Sequence, residues 1–282
     1  MSSIEKAIGR QSKITSGSES KHKERRELDV ESLNSLDKEK GFDEYTCRLD
    51  FAEFARQGFL VPSEKRNNIA EEYRQIKRPL LMNAFGKGAV PIERGNMIMV
   101  TSSLPGEGKT FTSFNLAMSM AMELDNTVLL IDSDVIKPSL TNILGLSDRV
   151  GLIDILLDSN IDLSDIIVGT DVPRLKVIPA GGTHHRSTEL LASEQMNRLA
   201  AELSERYPDR IVIFDAPPLL VASETSVIAH QVGQILMVVE AANTPQTTVK
   251  EALAKLDDDD VIGMILNKSH QPSQRDYYGG YY

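Results

Sequence analysis

The feature that most constrains this chain is a glycine-rich loop that separates an apolar run from a helical pattern. The apolar run is Met97–Thr101, and the loop reads Ser-Leu-Pro-Gly-Glu-Gly-Lys-Thr from Ser103 to Thr110. Gly106 and Gly108 allow a turn whose backbone N–H groups point towards phosphate oxygens, and the N-terminus of the next helix adds partial positive charge. The octapeptide departs from the P-loop pattern only at its first position, where serine replaces glycine. We therefore predict that the loop binds a nucleoside triphosphate.

The polar residues of the loop have predicted tasks. Lys109 neutralises the β- and γ-phosphates, and the Thr110 hydroxyl ligates Mg²⁺. Asn267 and Lys268, which follow the last apolar run, are candidate contacts to the nucleotide base. The residues that we expect to contact the nucleotide are Ser103, Pro105, Gly106, Glu107, Gly108, Lys109, Thr110, Thr112 and Asn267.

Apolar runs and helical patterns alternate beyond residue 95. The runs are mostly continuous, which is typical of strands covered on both faces. Strands separated by helices predict an α/β fold: a doubly wound, mostly parallel sheet of the P-loop NTPase type, with helices on both faces and ligands at the carboxyl ends of the strands. The predicted strands are Met97–Thr101, Val128–Ile131, Lys176–Ile178, Ile211–Asp215, Ile235–Val239 and Val261–Leu266. The predicted helices are Asn68–Asn83, Thr110–Leu124, Leu190–Arg206, Val221–Ala229 and Gln246–Leu256.

Three carboxylates follow or end predicted strands. Asp132 and Asp134 come directly after one strand, and Asp215 ends another. Mg²⁺ on a triphosphate prefers oxygen ligands, and an acceptor hydroxyl needs a carboxylate to take its proton. We expect Thr110, Asp132 and Asp215 to hold the metal. Asp132 and Asp134 both remain candidates for orienting the metal, the attacking hydroxyl, or both, so the predicted catalytic set is Lys109, Asp132, Asp134 and Asp215.

Composition divides the chain into three parts. Residues 1–66 carry thirteen basic and thirteen acidic residues, and we expect a polar, largely disordered segment. Within it, Phe42–Leu60 is interpreted as solvated short helices, with docking motifs as the alternative. Residues 67–270 form the predicted P-loop domain, and Pro79 is expected to kink or shorten its first helix. Residues 271–282 are expected to be a flexible tail with four tyrosines: Tyr277, Tyr278, Tyr281 and Tyr282.

Overall composition excludes several classes of protein. The net charge of −10 argues against nucleic acid as a partner and against broad adhesion to anionic lipid. A single cysteine, Cys47, excludes an intramolecular disulfide framework and a zinc ribbon. The longest apolar stretches are shorter than the roughly 20 residues that cross a bilayer. We expect a cytoplasmic protein whose membrane role, if it has one, comes through a partner.

Three motifs together resemble the Walker A, A′ and B motifs of the bacterial tyrosine kinases: SSLPGEGKT, LLIDSDVIKPSL and IVIFDAPP. The helix that carries Glu71, Arg74 and Lys77 is similar to the E-x-x-R-x-x-R subunit-contact motif of that family. With its polar N-terminal segment and tyrosine cluster, the chain further resembles the stand-alone autokinases of exosortase-linked polysaccharide operons.

The resemblance implies a function and a set of partners. It implies an ATP- and Mg²⁺-dependent protein-tyrosine autokinase, a homo-oligomer and ring whose subunits phosphorylate each other's tyrosine tails, and a role in exopolysaccharide chain length and export. It also implies a separate membrane activator of the chain-length-determinant type, which recruits the chain to the inner face of the membrane, and a cognate tyrosine phosphatase.

The chain departs from the family pattern at two motifs. Ile136 stands where the A′ motif usually has arginine, and Lys137 follows it. Lys77 keeps the charge of the second arginine in the contact motif but lacks its bidentate fork.

Two alternatives share the P-loop fold. A ParA/MinD-like positioning ATPase would have the same acidic strand ends, but it would carry a signature lysine where this chain has Ser102, Ser103 and Leu104. A non-catalytic adaptor that senses ATP and gates a polysaccharide exporter would keep the P-loop without using the tail. Phosphotyrosine on the chain's own tail separates the kinase from both.

Overall fold

The computed structural model describes residues 46–62, 68–88, 90–123, 125–206 and 209–269. The described residues from Cys47 onward belong to one compact unit. The tyrosine tail and residues 1–45 lie outside the described residues, so the expectations for them stay predictions. The strands are β1 (Thr46–Cys47), β2 (Met97–Ser102), β3 (Thr127–Asp132), β4 (Val168–Thr170), β5 (Leu175–Ile178), β6 (Arg210–Asp215), β7 (Gln234–Glu240) and β8 (Ile262–Asn267).

Helices connect the strands and precede the first long one. In chain order they are α1 (Phe51–Arg56), α2 (Asn68–Ala84), α3 (Lys109–Ala121), α4 (Ser139–Ile143), α5 (Leu152–Leu157), α6 (Leu163–Ile166), α7 (Ser187–Leu191), α8 (Glu194–Glu205), α9 (Glu224–Ala229) and α10 (Gln246–Leu253).

The described strands form one eight-stranded sheet in the order β1-β4-β5-β3-β6-β2-β7-β8. The pairs from β5 through β8 are parallel, and β4 runs antiparallel to β5. This confirms the predicted mostly parallel α/β sheet. The register places Asp132 of β3 opposite Asp215 of β6. The carboxyl ends of β2, β3 and β6 therefore meet at one edge, which is where such sheets bind ligands.

Two apolar cores cover the two faces of the sheet. Alternate residues of β2 face opposite sides: Ile98 belongs to the core beneath α3, and Met99 belongs to the core beneath α8. Helix α3 is buried along its whole length except at Thr110 and Phe111. Because it is buried on almost every side, its sequence is apolar or small nearly throughout, and its N-terminus is held firmly at the end of β2.

Helix boundaries differ from the prediction at several ends: α3 ends at Ala121, α9 begins at Glu224 and α10 ends at Leu253. Residues 187–205 form two helices, because the Ser193 hydroxyl accepts a hydrogen bond from Met196 N and starts α8 as a new helix. Pro79 lies inside α2 without ending it, so the expected shortening is wrong.

The interpretation of Phe42–Leu60 as solvated short helices is wrong for the residues that the structure describes. We call residues 47–62 the N-terminal arm. Cys47, Phe54, Phe59 and Leu60 are all buried against the core beneath α3. Apart from Cys47 of β1 and the short helix α1, the arm is irregular, and its apolar side chains fill a surface made by other elements. Folded structure thus begins well before residue 66. Burial also raises the pKa of the Cys47 thiol, with the nearby Asp171 adding to the effect.

Candidate active site

The site is built where β2, β3 and β6 end beside one another. The loop from Ser103 to Gly108 leaves β2 and leads directly into α3. Gly106 has φ 89° and Gly108 has φ 100°, backbone conformations that residues other than glycine rarely adopt. A Cβ at Gly108 would also lie 2.1 Å from the Asn267 amide nitrogen. Glycine is therefore required at position 108 on both counts.

Lys109 begins α3, and its ammonium group pairs with a carboxylate. Its Nζ lies 2.6 Å from Oδ2 of Asp134, and both side chains are buried. Burial opposes the charged form of Lys109, but the carboxylates of Asp215 and Asp134 outweigh it and raise the pKa of the lysine. Lys109 therefore keeps its positive charge, which is what phosphate neutralisation requires.

Asp132 is fully buried and accepts three hydrogen bonds. Oδ2 accepts from Thr141 N at 2.8 Å and from the Thr141 hydroxyl at 2.7 Å, and Oδ1 accepts from Asp134 N at 3.2 Å. Burial, with the neighbouring Asp215 charge, raises the pKa of Asp132 to about 7. The two oxygens are thus held rigidly in place by α4 and by the chain that follows β3.

Asp215 is buried beside the first turn of α3. Its Oδ1 accepts from the Ser113 hydroxyl at 3.0 Å, and its Oδ2 has no hydrogen-bond partner among the described residues. Burial raises the pKa of Asp215, although the Lys109 charge and the Thr110 and Ser113 hydroxyls act in the opposite direction.

These groups fit a nucleotide with Mg²⁺. An unpartnered buried carboxylate oxygen is costly unless something else bonds to it, and Mg²⁺ binds carboxylate oxygens. The Ser103 hydroxyl is another buried polar group that has no hydrogen-bond partner in the described part of the chain. Asp215, Asp132 and the Thr110 hydroxyl would hold the metal, while the loop backbone and Lys109 would hold the phosphates.

A cavity of about 370 Å³ opens beside this cluster. It is polar at the loop and at Asp134, and apolar on the opposite wall. Asp132 does not line it. The lining residues are Pro105, Gly106, Gly108, Lys109, Thr110, Phe111, Asp134, Ile136, Lys137, Ser139, Pro217, Pro218, Val221 and Ala222.

Glu107 and Asn267, both predicted nucleotide contacts, brace the loop with their side chains. The buried Glu107 carboxylate accepts from Leu104 N at 2.7 Å, from Glu240 N at 3.3 Å and from the Thr244 hydroxyl. The Asn267 amide donates to the Glu107 carbonyl at 2.8 Å. Neither side chain lines the cavity; both support the loop, and their contact with a nucleotide stays a prediction.

Ser103 and Thr112, also predicted nucleotide contacts, are buried and do not line the cavity either. Conversely, sequence reasoning missed Ser113, Thr141 and Phe111. Ser113 follows Thr110 by three residues, a helical spacing that places both on one face of α3 and could have signalled a shared contact to Asp215. Thr141 reaches Asp132 only because α4 folds back over β3, and no local pattern indicates that.

The helix α2 uses its motif residues in two ways. Glu71 and Arg74 are exposed and form an ion pair of 2.5 Å with each other. Lys77 is buried, where its Nζ donates to the Ser119 carbonyl at 2.5 Å and pairs with Glu123 at 2.8 Å. Lys77 thus fastens α2 to α3, whereas Arg74 lies at the surface of α2.

The geometry defines a P-loop site for nucleotide and phosphoryl chemistry, and comparison with known proteins names its family. Residues 95–257, more than half of the chain, match the family model described as an AAA domain. The chain is 29% identical over 229 residues to the tyrosine-protein kinase YwqD of Bacillus subtilis (strain 168), covering 79% of this chain and 92% of that protein. It is 30% identical to the crystal structure of the VpsO kinase domain, with a TM-score of 0.57 and coverage of 72% of this chain and 100% of that one. The chain belongs to the bacterial tyrosine-protein kinases, within the AAA-domain family.

Other relatives are much longer proteins. The succinoglycan biosynthesis transport protein ExoP of Rhizobium meliloti (strain 1021) is 32% identical over 225 residues, which is 78% of this chain but 27% of ExoP. The chain thus spans about a quarter of such relatives. Among the described residues, no helix combines the length and the apolar character needed to span a membrane.

Replacing Glu107 should weaken nucleotide binding although its side chain does not face the cavity. Glu107→Ala removes the acceptor of two partly buried backbone N–H groups, those of Leu104 and Glu240, and each such loss costs about 1 kcal/mol. We expect the dissociation constant for a fluorescent ADP analogue with Mg²⁺ to rise about tenfold or more. Glu251→Ala, an exposed site on α10, is the control and should leave it unchanged. Equal affinity in both variants would show that the loop keeps its shape without Glu107.

The raised pKa of Asp132 predicts a pH-dependent stability. Because the folded protein holds this proton more tightly than the unfolded chain, the free energy of unfolding should fall as pH rises from about 4 through about 7. The Asp132→Asn variant has no group that titrates at this position, so its free energy of unfolding should fall less over the same pH range. Chemical denaturation without Mg²⁺ or nucleotide at pH 5, 6, 7 and 8 measures both. Parallel pH profiles would contradict the assignment.

Proposed function

We propose that this chain is an ATP-dependent tyrosine autokinase that phosphorylates the C-terminal tyrosine cluster of an adjacent copy of itself. The observation that carries the proposal is the pairing of Lys109 with Asp134 at the wall of a cavity that also adjoins the P-loop. That cavity offers a phosphate-binding end, a carboxylate and an apolar wall suited to a phenol ring.

The site separates the work of its carboxylates. Bound Mg-ATP supplies the phosphoryl group and the metal charge that neutralises its oxygens. Asp215 and Asp132 lie behind the loop as ligands, held by Ser113 and Thr141. Asp134 faces the cavity, so an entering tyrosine hydroxyl meets it first, and we assign it as the acceptor of the hydroxyl proton. The tyrosine oxygen bonds to the γ-phosphorus, the bond to the bridging oxygen breaks, and ADP leaves.

Lys109 has two partners in this scheme. Its ammonium group has three N–H donors, so it can donate one hydrogen bond to a phosphate oxygen and another to Asp134 at the same time. Since the carboxylates around it keep it charged, Lys109 balances negative charge that grows on the leaving phosphate.

Assembly and regulation extend the proposal. The predicted acceptors are Tyr277, Tyr278, Tyr281 and Tyr282, and each phosphate adds a charge of about −1.5 to −2. In a chain that is already acidic, this charge opposes docking of the tail and favours disassembly of a ring. The succinoglycan transport relative supports a role in exopolysaccharide chain length and export. We further propose recruitment to the inner face of the membrane by a chain-length-determinant-type activator, and reversal by a tyrosine phosphatase.

Autophosphorylation tests the proposal directly. Full-length protein incubated with Mg-ATP should acquire phosphotyrosine within residues 277–282, detected by mass spectrometry, and Lys109→Met should abolish it. A second variant with all four tail tyrosines replaced by phenylalanine keeps the active site. When the two variants are mixed, label should appear on the Lys109→Met chain, because its tail enters the other copy's site. An unmodified tail alongside continued ATP hydrolysis would instead indicate a positioning ATPase, and an unmodified tail without hydrolysis would indicate an adaptor.

Arg74 should support assembly without supporting the fold. Its exposed guanidinium pairs only within α2 in the described contacts, so Arg74→Ala should shift the oligomer towards monomer in light scattering and leave the melting temperature within a few degrees. Arg198→Ala, equally exposed on α8, is the control. Lys77 is unsuitable for this test because it fastens α2 to α3. An unchanged particle mass for Arg74→Ala would remove α2 from the subunit contact.

A further inference from the structure

We propose that the N-terminal arm is a built-in positioning element of the active site, and that Phe59 acts by holding Phe111 in the wall of the cavity. The inference rests on the proposed function, because that cavity is where phosphoryl transfer would take place. Phe59 touches neither phosphate-binding group nor carboxylate, so it is a positioning residue.

Four phenylalanines carry the connection between the arm and α3. The rings of Phe59 and Phe111 have centroids 5.0 Å apart with planes tilted by 39°. Phe54 stacks on Phe114 at 5.0 Å, and Phe59 meets Phe114 edge-on at 5.3 Å. Such separations are those of favourable aromatic pairs. The arm therefore contacts the first two turns of the helix that carries Lys109 and Thr110.

Phe111 is the point at which this cluster reaches the site. It lines the cavity, whereas Phe114 is buried in the core. Phe111 is also one of the two residues of α3 that are not fully buried. With one side of its ring towards the cavity, the Phe111 side chain depends on packing from the arm for its position.

A hydrogen bond fixes the arm in register with α3. Leu60 N donates to the Asn115 side-chain oxygen at 2.7 Å in a buried setting. Asn115 lies one turn beyond Phe111, so this bond sets where Phe59 sits along the helix. The contact is specific, because a buried backbone N–H needs one defined acceptor.

The other end of the arm reaches the second helix of the site. The Cys47 thiol donates to the Leu144 carbonyl at 3.4 Å, at the end of α4. Helix α4 carries Thr141, which holds Asp132. The arm thus bridges the helix that positions the phosphate-binding lysine and the helix that positions a carboxylate, and its loss would loosen both.

The experiment compares three full-length variants. Phe59→Ala should lower the autophosphorylation rate at saturating Mg-ATP about tenfold, while the dissociation constant for a fluorescent ADP analogue stays within twofold, because Phe59 packs on Phe111 and Phe114 and its ring contacts do not include the phosphate-binding loop. Phe59→Leu keeps apolar volume and should recover most of the rate. Leu203→Ala, a core truncation on the opposite face of the sheet, is the matched control. It should be destabilised without the selective loss of rate.

A second measurement does not depend on kinase activity. The chain contains no tryptophan, so Phe111→Trp provides a single fluorescent reporter in the cavity wall. Adding Phe59→Ala should shift its emission to longer wavelength and increase quenching by acrylamide, whereas adding Leu203→Ala should not. If the wild type fails to phosphorylate itself but the reporter responds, the proposed function fails and the positioning role stands. If Phe59→Ala matches Leu203→Ala in both rate and reporter, the positioning role is wrong.

Discussion

The buried cluster of one ammonium and three carboxylates at the sheet edge is the interaction on which the rest of the structure depends. Lys109, Asp132, Asp134 and Asp215 are all at most 8% exposed, and a single lysine cannot neutralise three buried carboxylates. Burial, together with repulsion from neighbouring carboxylates, raises the pKa values of Asp132 and Asp215. Such a cluster costs stability unless it serves a charged ligand. A divalent metal complements the carboxylates of the cluster, and a polyphosphate complements its ammonium group.

Support for this cluster comes from residues that do not touch the cavity. Glu107 connects the loop to the end of β7. Thr141 donates two hydrogen bonds to Oδ2 of Asp132, and Ser113 donates one to Asp215. The arm adds aromatic packing from the far side of α3. In a site where charge balance is delicate, displacement of a carboxylate by a fraction of an ångström changes every interaction, so this outer layer is as necessary as the groups it holds.

The relatives place this catalytic unit in different settings. It corresponds to nearly all of YwqD and to about a quarter of ExoP. The arm lies before the region that the AAA-domain model matches, yet it packs on the helix that begins the nucleotide site. Sequence that precedes the shared domain can therefore influence chemistry within it, whatever lies further along the chain in a longer relative.

Sequence alone determined the parts of this protein that depend on local pattern: six parallel strands, the loop and its lysine, and the acidic strand ends. Those features are set by residue type and spacing, because backbone conformation at Gly108 and the burial of β2 leave few alternatives. Tertiary structure alone decided which carboxylate faces the cavity and that Glu107 and Asn267 brace the loop. It also decided that Lys77 is buried between α2 and α3, and that the arm is folded. Each of these depends on contacts between residues far apart in the chain, such as Leu60 with Asn115 and Thr141 with Asp132, and local periodicity carries no record of them.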